Sequence, residues 1–140
     1  MDAVENLKAK YPGAQAWGFG DSAEMADELA ALVIKGIKTA SCGSFASFQA
    51  EEPSPQIGSY HIILNGQDVP VCVIRIVSMR LLRFCDVTAE FARKEGEGDL
   101  SLDYWRREHQ GFFTRAGFFA EEMELVAEEF AVVEVVNPAH

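Results

Sequence analysis

Cysteine is scarce: Cys42, Cys72 and Cys85 are the only thiols in 140 residues. An odd set without a Cys-x-x-C pair offers neither a disulfide framework nor a common zinc arrangement, so all three read as reduced, mostly buried thiols. No metal and no cofactor is expected. Long hydrophobic runs are also missing. None approaches the roughly 18 residues needed to cross a bilayer, and the opening MDAVENLKAKYPG has neither an apolar leader region nor a cleavage pattern. A membrane is therefore not an expected partner, and the expected location is cytoplasmic. Positive charge is the third shortage: 12 Lys and Arg stand against 22 Asp and Glu, for a net charge of −10 and a pI near 4.7. A protein that holds a long polyphosphate chain is expected to be basic, so tight non-specific nucleic-acid binding is disfavoured and no DNA partner is expected. Internal repeats, linkers and low-complexity segments are absent as well.

What is present is apolar material, 49% of the positions, enough for one domain that buries roughly two-thirds of its unfolded surface. The charge is lopsided. Residues 1–85 carry 9 acids and 7 bases, whereas residues 86–140 carry 13 acids and 5 bases, so an anion site belongs in the first part. Residues 1–16 read as a short helical extension that Tyr11-Pro12-Gly13 stops, on a single domain spanning 1–140. Asp21 can cap a helix in which Met25, Leu29, Leu32 and Val33 recur at three- and four-residue steps, ending near Gly36. Between Lys38 and Pro55 the chain is poor in long aliphatic residues and reads as an irregular excursion. Gly58 to Leu64 and Val69 to Val77 are β-branched runs around Asn65-Gly66-Gln67-Asp68, which predicts a hairpin. Asp86 or Thr88 opens a helix that Gly96-Glu97-Gly98 closes, and Asp99 or Ser101 caps the next. Along that helix Leu102, Trp105, His109, Phe112 and Phe113 form one stripe. Val126 and the alternating run from Phe130 to Val136 supply late strands, expected to pair with each other. The order predicts an α+β fold with a curved, mostly antiparallel sheet.

Three segments hold residues suited to chemistry. Gly36-Ile37-Lys38-Thr39-Ala40-Ser41 sits where a helix gives way to an extended segment, and there Thr39 and Ser41 share one face while Lys38 points the other way unless Gly36 bends the start. It lacks the upstream glycines of a Walker phosphate loop. Glu95-Gly96-Glu97-Gly98-Asp99 packs three mutually repelling carboxylates between two helices. Either it is a solvated capping turn, or one carboxylate turns inward to meet a cation; it has no EF-hand ligand pattern. Trp105 and His109 lie one helical turn apart with Arg106 on the flank. A histidine in such a stripe is more often a hydrogen-bonded core residue than a catalyst. His61 and His140 have weaker cases.

Together these segments resemble one family. Gly36-Ile37-Lys38 with Ser41 is similar to the Gly-x-Lys-x-x-Thr-x-Arg signature of ASCH domains, and Glu95-Gly96-Glu97-Gly98-Asp99-Leu100-Ser101-Leu102, followed by Tyr104-Trp105-Arg106, His109, Phe112 and Phe113, resembles their bacterial branch. The likeness runs from about residue 17 to 136. It implies a PUA-like fold, a small curved β-barrel with helices packed around it and a cleft beside the lysine motif. It implies three activities among members: RNA binding, ribonuclease action and, in one subgroup, amide hydrolysis of N4-acetylcytidine. In that subgroup a lysine, a threonine and a later glutamate do the work. Carried across, they fall on Lys38, Ser41 and Glu95. Serine keeps the hydroxyl nucleophile, but the signature arginine position is Gly43, for which Arg75, Arg106 and Lys35 are replacement candidates.

Three expectations follow. In the first, the ligand is a nucleoside-like small molecule: Lys38, its pKa lowered by burial, takes the proton of Ser41 as that hydroxyl attacks an amide carbonyl, and Glu95 either holds the resulting ammonium or delivers the proton to the departing amine. Gly36 and Thr39 would line this cleft, Phe45 and Trp105 would stack on the base, and Arg75, Arg106 and His109 would orient it. The backbone amides near Cys42 and Gly43 would receive the oxyanion. In the second, the domain binds RNA or a nucleotide, with or without strand cleavage, and Lys35, Lys38, Arg75, Arg80 and Arg83 must converge on phosphate. A third alternative is a non-enzymatic acidic domain whose cleft binds a metabolite or protein. Charge favours the first, since a nucleoside carries no phosphate.

Overall fold

The computed structural model describes residues 2–51 and 54–136; His140, one of the three candidate histidines, lies outside them. Helix α1 (Ala3–Lys10) is capped by Asp2, whose side chain accepts from the Glu5 amide at 2.8 Å. A short strand β1 (Gln15–Trp17) leads to α2 (Ala23–Ile34). The cap of α2 is Ser22 rather than Asp21: its hydroxyl accepts from the Met25 amide at 3.1 Å. The segment read as an irregular excursion is instead strand β2 (Ala40–Ser44) running directly into helix α3 (Phe45–Ala50), with Ser44 as its cap. The predicted hairpin is β3 (Tyr60–Leu64) and β4 (Pro70–Arg83). A single 3-10 turn (Phe84–Asp86) precedes α4 (Ala89–Glu95) and α5 (Leu102–Arg115), which Thr88 and Ser101 cap. The chain closes with one long strand, β5 (Glu124–Val135), where the sequence suggested two strands paired with each other.

The strands form one sheet in the order β1-β3-β4-β5-β2, antiparallel except for the parallel β1–β3 pair. This is the α+β, PUA-like architecture expected, a mixed sheet curled into a half-barrel. Two register shifts in the β4–β5 ladder, between Val73 and Ile74 and between Ile76 and Ser78, lie where a long strand has to bend, and such bulges sharpen local twist. β5 is long because it has two partners: it pairs with β4 over Glu124 to Val135 and with β2 over Leu125 to Glu129.

Three apolar clusters hold the layers. α2 lays Leu29, Ala30 and Val33 on Ile63, Cys72, Ile74 and Phe130 of one face of the sheet. α1 covers the opposite face through Leu7 against Ile62 and Val73. α4 and α5 pack Phe91, Trp105 and Phe113 against Phe84, Ala40, Leu125 and Ala127 at the other end. Each fully buried large side chain contributes about 1.5–3 kcal/mol from removed apolar area. Lys38, between the α2 and α5 clusters, and Glu95 are the charged exceptions in this core, only 2% and 1% exposed. Of the cysteines only Cys72 is buried; Cys42 is half-buried and Cys85 is exposed. Among the described residues no helix is long and apolar enough to cross a membrane.

Candidate active site around a buried lysine

Just past α2, Gly36, with φ of +79°, turns the chain so that the Ile37 and Lys38 amides both donate back to the Leu32 carbonyl. Lys38 thereby enters the core just before β2 begins. The acidic turn after α4 meets it there. The Thr39 amide donates to the Lys94 carbonyl at 2.7 Å, locking the two segments side by side. Lys38 Nζ then uses its donors on Glu95 Oε1 at 3.0 Å, the Glu95 carbonyl at 3.3 Å and Glu97 Oε2 at 2.8 Å. So the acidic run sends two carboxylates inward, while Asp99 accepts from the Ser101 amide at the start of α5.

Glu95 is 1% exposed and is satisfied on every side. Its Oε2 accepts from the Trp105 indole N–H at 2.8 Å and lies 3.4 Å from His109 Nε2. His109 Nδ1 is 2.9 Å from the Trp105 carbonyl, which can only accept, so Nδ1 carries a proton. The remaining nitrogen faces a carboxylate, an arrangement that favours the imidazolium. Burial alone would lower the His109 pKa, but Glu95, Glu97 and the Trp105 carbonyl outweigh it and raise it. Glu95 shifts the other way: burial opposes ionisation, yet Lys38, His109 and the Trp105 hydrogen bond hold it well below the usual carboxylate range.

Lys38 departs from the expected lowered pKa. Burial does push it down, but Glu95 and Glu97 together push harder, and the net shift is upward. The resting site therefore holds an ammonium, not a free amine. Burial and Glu95 also raise the Cys42 thiol well above its ordinary value, so it is not a resting thiolate. Cys42, Glu95 and His109 bring one ligand atom each within 4.8 Å of one another. A cation placed among them would face the Lys38 ammonium and compete with it for Glu95, so this donor set suits an ion-pair network better than a metal.

These shifts set a pH window. His109, raised in the fold, adds stability that is fully present below its unfolded value of roughly 6.5 and is lost as pH rises through the raised value. Glu95, depressed in the fold, adds stability present above roughly pH 4.3 and lost as pH falls through its depressed value. Thermal melting across pH should show Tm highest between roughly pH 5 and 6.5 and falling toward pH 9, with His109→Gln flattening the alkaline limb. A wild-type Tm unchanged from pH 6 to pH 9 would contradict the imidazolium.

Beside the network opens a cavity of about 200 Å³, walled by Phe19, Met25, Leu29, Tyr104 and Phe112 and floored by Lys38, Ser41, Cys42 and Glu95. Glu28, Glu97, Glu108 and Arg115 also line it. It is smaller than the roughly 300–1,000 Å³ common for drug-sized ligands, which suits one base or a comparably small molecule. Of the residues placed in the site by sequence, Lys38, Ser41, Glu95 and His109 line this cavity. The Ser41 hydroxyl has no hydrogen-bond partner among the described residues and is left available.

The other candidates lie elsewhere. Gly36 is a helix terminator, and Thr39 Oγ1 donates to the Lys94 carbonyl at 3.3 Å. Phe45 packs on Phe48 within α3, ring centroids 6.2 Å apart. Arg75 donates to the Gly58 carbonyl at 3.1 Å and covers the Tyr60 ring. Arg106 reaches the Cys85 carbonyl at 3.4 Å. None of these five lines the cavity, so none stands in for the missing signature arginine. Trp105 acts from behind: it does not stack on a ligand but stacks on His109, centroids 4.1 Å apart, and holds Glu95. Sequence reasoning missed Glu97 as the second partner of Lys38, and Phe19 and Tyr104 as walls. The Glu-Gly-Glu spacing was the available signal for Glu97; Phe19, ahead of α2, and Tyr104, on α5, had none of their own.

A model of the ASCH domain matches residues 15–134. The chain belongs to the ASCH domain family. It is similar to the ASCH domain from Lactobacillus crispatus JV V101, at 34% identity and TM-score 0.82, over 92% of this chain and 85% of that one. It is equally similar to a protein of Enterococcus faecalis V583, at 35% identity and TM-score 0.80, over 94% and 86% of the two chains. A hypothetical protein at 13% identity and TM-score 0.58, over 86% of this chain and 99% of that one, shares the fold. Among curated proteins none matches the sequence.

Proposed function

We propose that this ASCH domain binds a single nucleobase-like ligand in the Lys38 cavity and hydrolyses an amide on its exocyclic nitrogen, with N4-acetylcytidine as the representative substrate. The observation that carries the reading is an unpaired Ser41 hydroxyl sharing a small, aromatic-walled cavity with the Lys38–Glu95–Glu97 network. The ammonium at rest gives Lys38 a different starting point from a free base. A ligand that covers the cavity removes water from the Glu97 carboxylate, and a drier site favours the neutral forms of an ion pair. Lys38 then passes a proton to Glu97 across their 2.8 Å hydrogen bond. The amine so freed accepts the Ser41 proton as Oγ attacks the carbonyl carbon. The C–N bond breaks with the proton returned from Glu97 to the departing nitrogen, and water cleaves the seryl ester.

Family membership also supports RNA binding as an alternative. Against it, Lys38 has its donors committed to Glu95 and Glu97, Arg83 is paired with Asp86 and Glu122, and Arg75 is held at Gly58. Chromatography of purified protein with N4-acetylcytidine tests the proposal. Cytidine should be released; Ser41→Ala should lower turnover at least about 100-fold, and Ser41→Thr should keep it. Binding of cytidine without turnover would remove the hydrolytic step, and salt-sensitive binding of single-stranded RNA with no cytidine binding would overturn the whole reading in favour of the alternative.

A further inference from the structure

A second, larger cavity of about 480 Å³ has walls formed by Trp17, Ile74, Ile76 and Phe130, and it belongs to no part of the lysine network. Its charged and titratable lining is Lys8 from α1, Glu51 just after α3, His61 on β3 and Glu128 on β5. Glu128 stands opposite Ser41 on β2 and Met79 on β4 in the strand register, half-buried, and its carboxylate has no hydrogen-bond or ion-pair partner among the described residues. A carboxylate among apolar walls needs a partner or a proton, and among the described residues the side chains lining the cavity supply neither. Lys8 is exposed and pairs with neither glutamate.

His61 cannot supply the charge. The Trp17 indole N–H donates to its Nδ1 at 3.0 Å, so that nitrogen must be unprotonated, and Nε2 meets Ser59 Oγ at 3.2 Å, which in turn donates to the Gln56 carbonyl at 2.7 Å. The ring is fixed as the neutral form with both nitrogens occupied. Burial lowers its pKa in the same sense. Among the described lining residues a divalent metal would thus find only Glu51, Glu128 and the Gln15 amide oxygen as free side-chain ligands, short of the six or more oxygens that calcium or magnesium takes. An anion would meet two carboxylates.

We infer that this cavity is a binding site for a small organic cation, an alkylammonium or guanidinium, with Glu128 as its counter-ion and Trp17 and Phe130 covering its apolar body. Aromatic rings in the lining add favourable contacts wherever such a cation meets their faces. Burial raises the Glu128 pKa to about 7, with a further push from Glu51. Binding a cation requires the ionised form, so affinity should weaken as pH falls through this value.

The test is a titration of the full chain with n-butylammonium and with methylguanidinium chloride, followed by amide and indole NMR, against potassium chloride at equal ionic strength. The expected result is a saturable shift of the Trp17 indole resonance, weakened at least about tenfold by Glu128→Gln. Lowering the pH from 8 to 6 should weaken wild-type binding about tenfold and leave Glu128→Gln binding unchanged, since the ionised fraction falls about tenfold around a pKa of about 7. Excess cytidine should not displace the cation, which separates this site from the lysine cavity. Glu128→Gln should melt no lower than wild type at pH 8, showing that the lost binding is not lost folding. No saturable shift, a shift equal to that from potassium, saturation by magnesium instead, or full binding by Glu128→Gln would each overturn the inference.

Discussion

Glu95→Ala should remove about 3–5 kcal/mol of folding stability, the loss expected when one partner of a buried ion pair is taken away. The substitution leaves Lys38, 1% exposed at its side chain, with Glu97 as its only carboxylate. It also strands the Trp105 indole N–H and the second nitrogen of His109 beside a void. Glu95→Gln should be nearly as harmful. The amide keeps the shape, but its NH2 group turns two donors toward a site where Lys38, Trp105 and His109 already donate. Adding Lys38→Met to Glu95→Ala should recover part of the loss, because the uncompensated ammonium goes with it. Urea unfolding of the three variants reads all of this. A Glu95→Ala loss below about 1 kcal/mol would mean that water reaches Lys38 and that the network is not the enclosed structure described.

That network was half legible in the sequence, and the reason lies in range. Local signals found local structure. Asn-Gly between β-branched runs marked the β3–β4 hairpin, and Thr88, Gly96 and Ser101 marked the limits of α4 and α5. Only the start of β2 was read, as the extended segment that follows Gly36, because Ala-Ser-Cys-Gly-Ser carries no β-branched residue; its ladder comes from β5, more than 80 positions away. The same non-local pairing makes β5 one strand with two partners rather than two strands facing each other. For the site, the family resemblance and the carboxylate run pointed to Lys38 and Glu95. The direction of the Lys38 shift was not readable, since it depends on a second carboxylate, Glu97, arriving with the first. Whether a buried lysine is a base or an ammonium is decided by the balance of its burial, which lowers the pKa, against the carboxylates that reach it, which raise it.

The glycines of the acidic turn explain why two carboxylates reach Lys38. Gly96 has φ of +73°, and a Cβ there would stand 2.5 Å from the Ile37 carbonyl oxygen and 2.8 Å from Lys38 Cα, both backbone atoms. Only a residue without a side chain lets the turn lie flat on the Lys38 segment, which is what brings Glu95 and Glu97 to the same nitrogen. Gly36 supplies the control. Its φ is +79°, but a Cβ there would meet nothing within 4 Å. Gly36→Ala should therefore cost only the backbone penalty of a left-handed conformation, about 1–2 kcal/mol. Gly96→Ala carries the same penalty and must also lift the turn away from Lys38, pulling Glu97 off the ammonium. Its total should exceed about 4 kcal/mol, beyond the common range for single substitutions. Urea unfolding separates the two effects. Equal losses in the two variants would show that the turn owes its glycine to φ alone, and that the close approach of Gly96 to Lys38 is not what assembles the site.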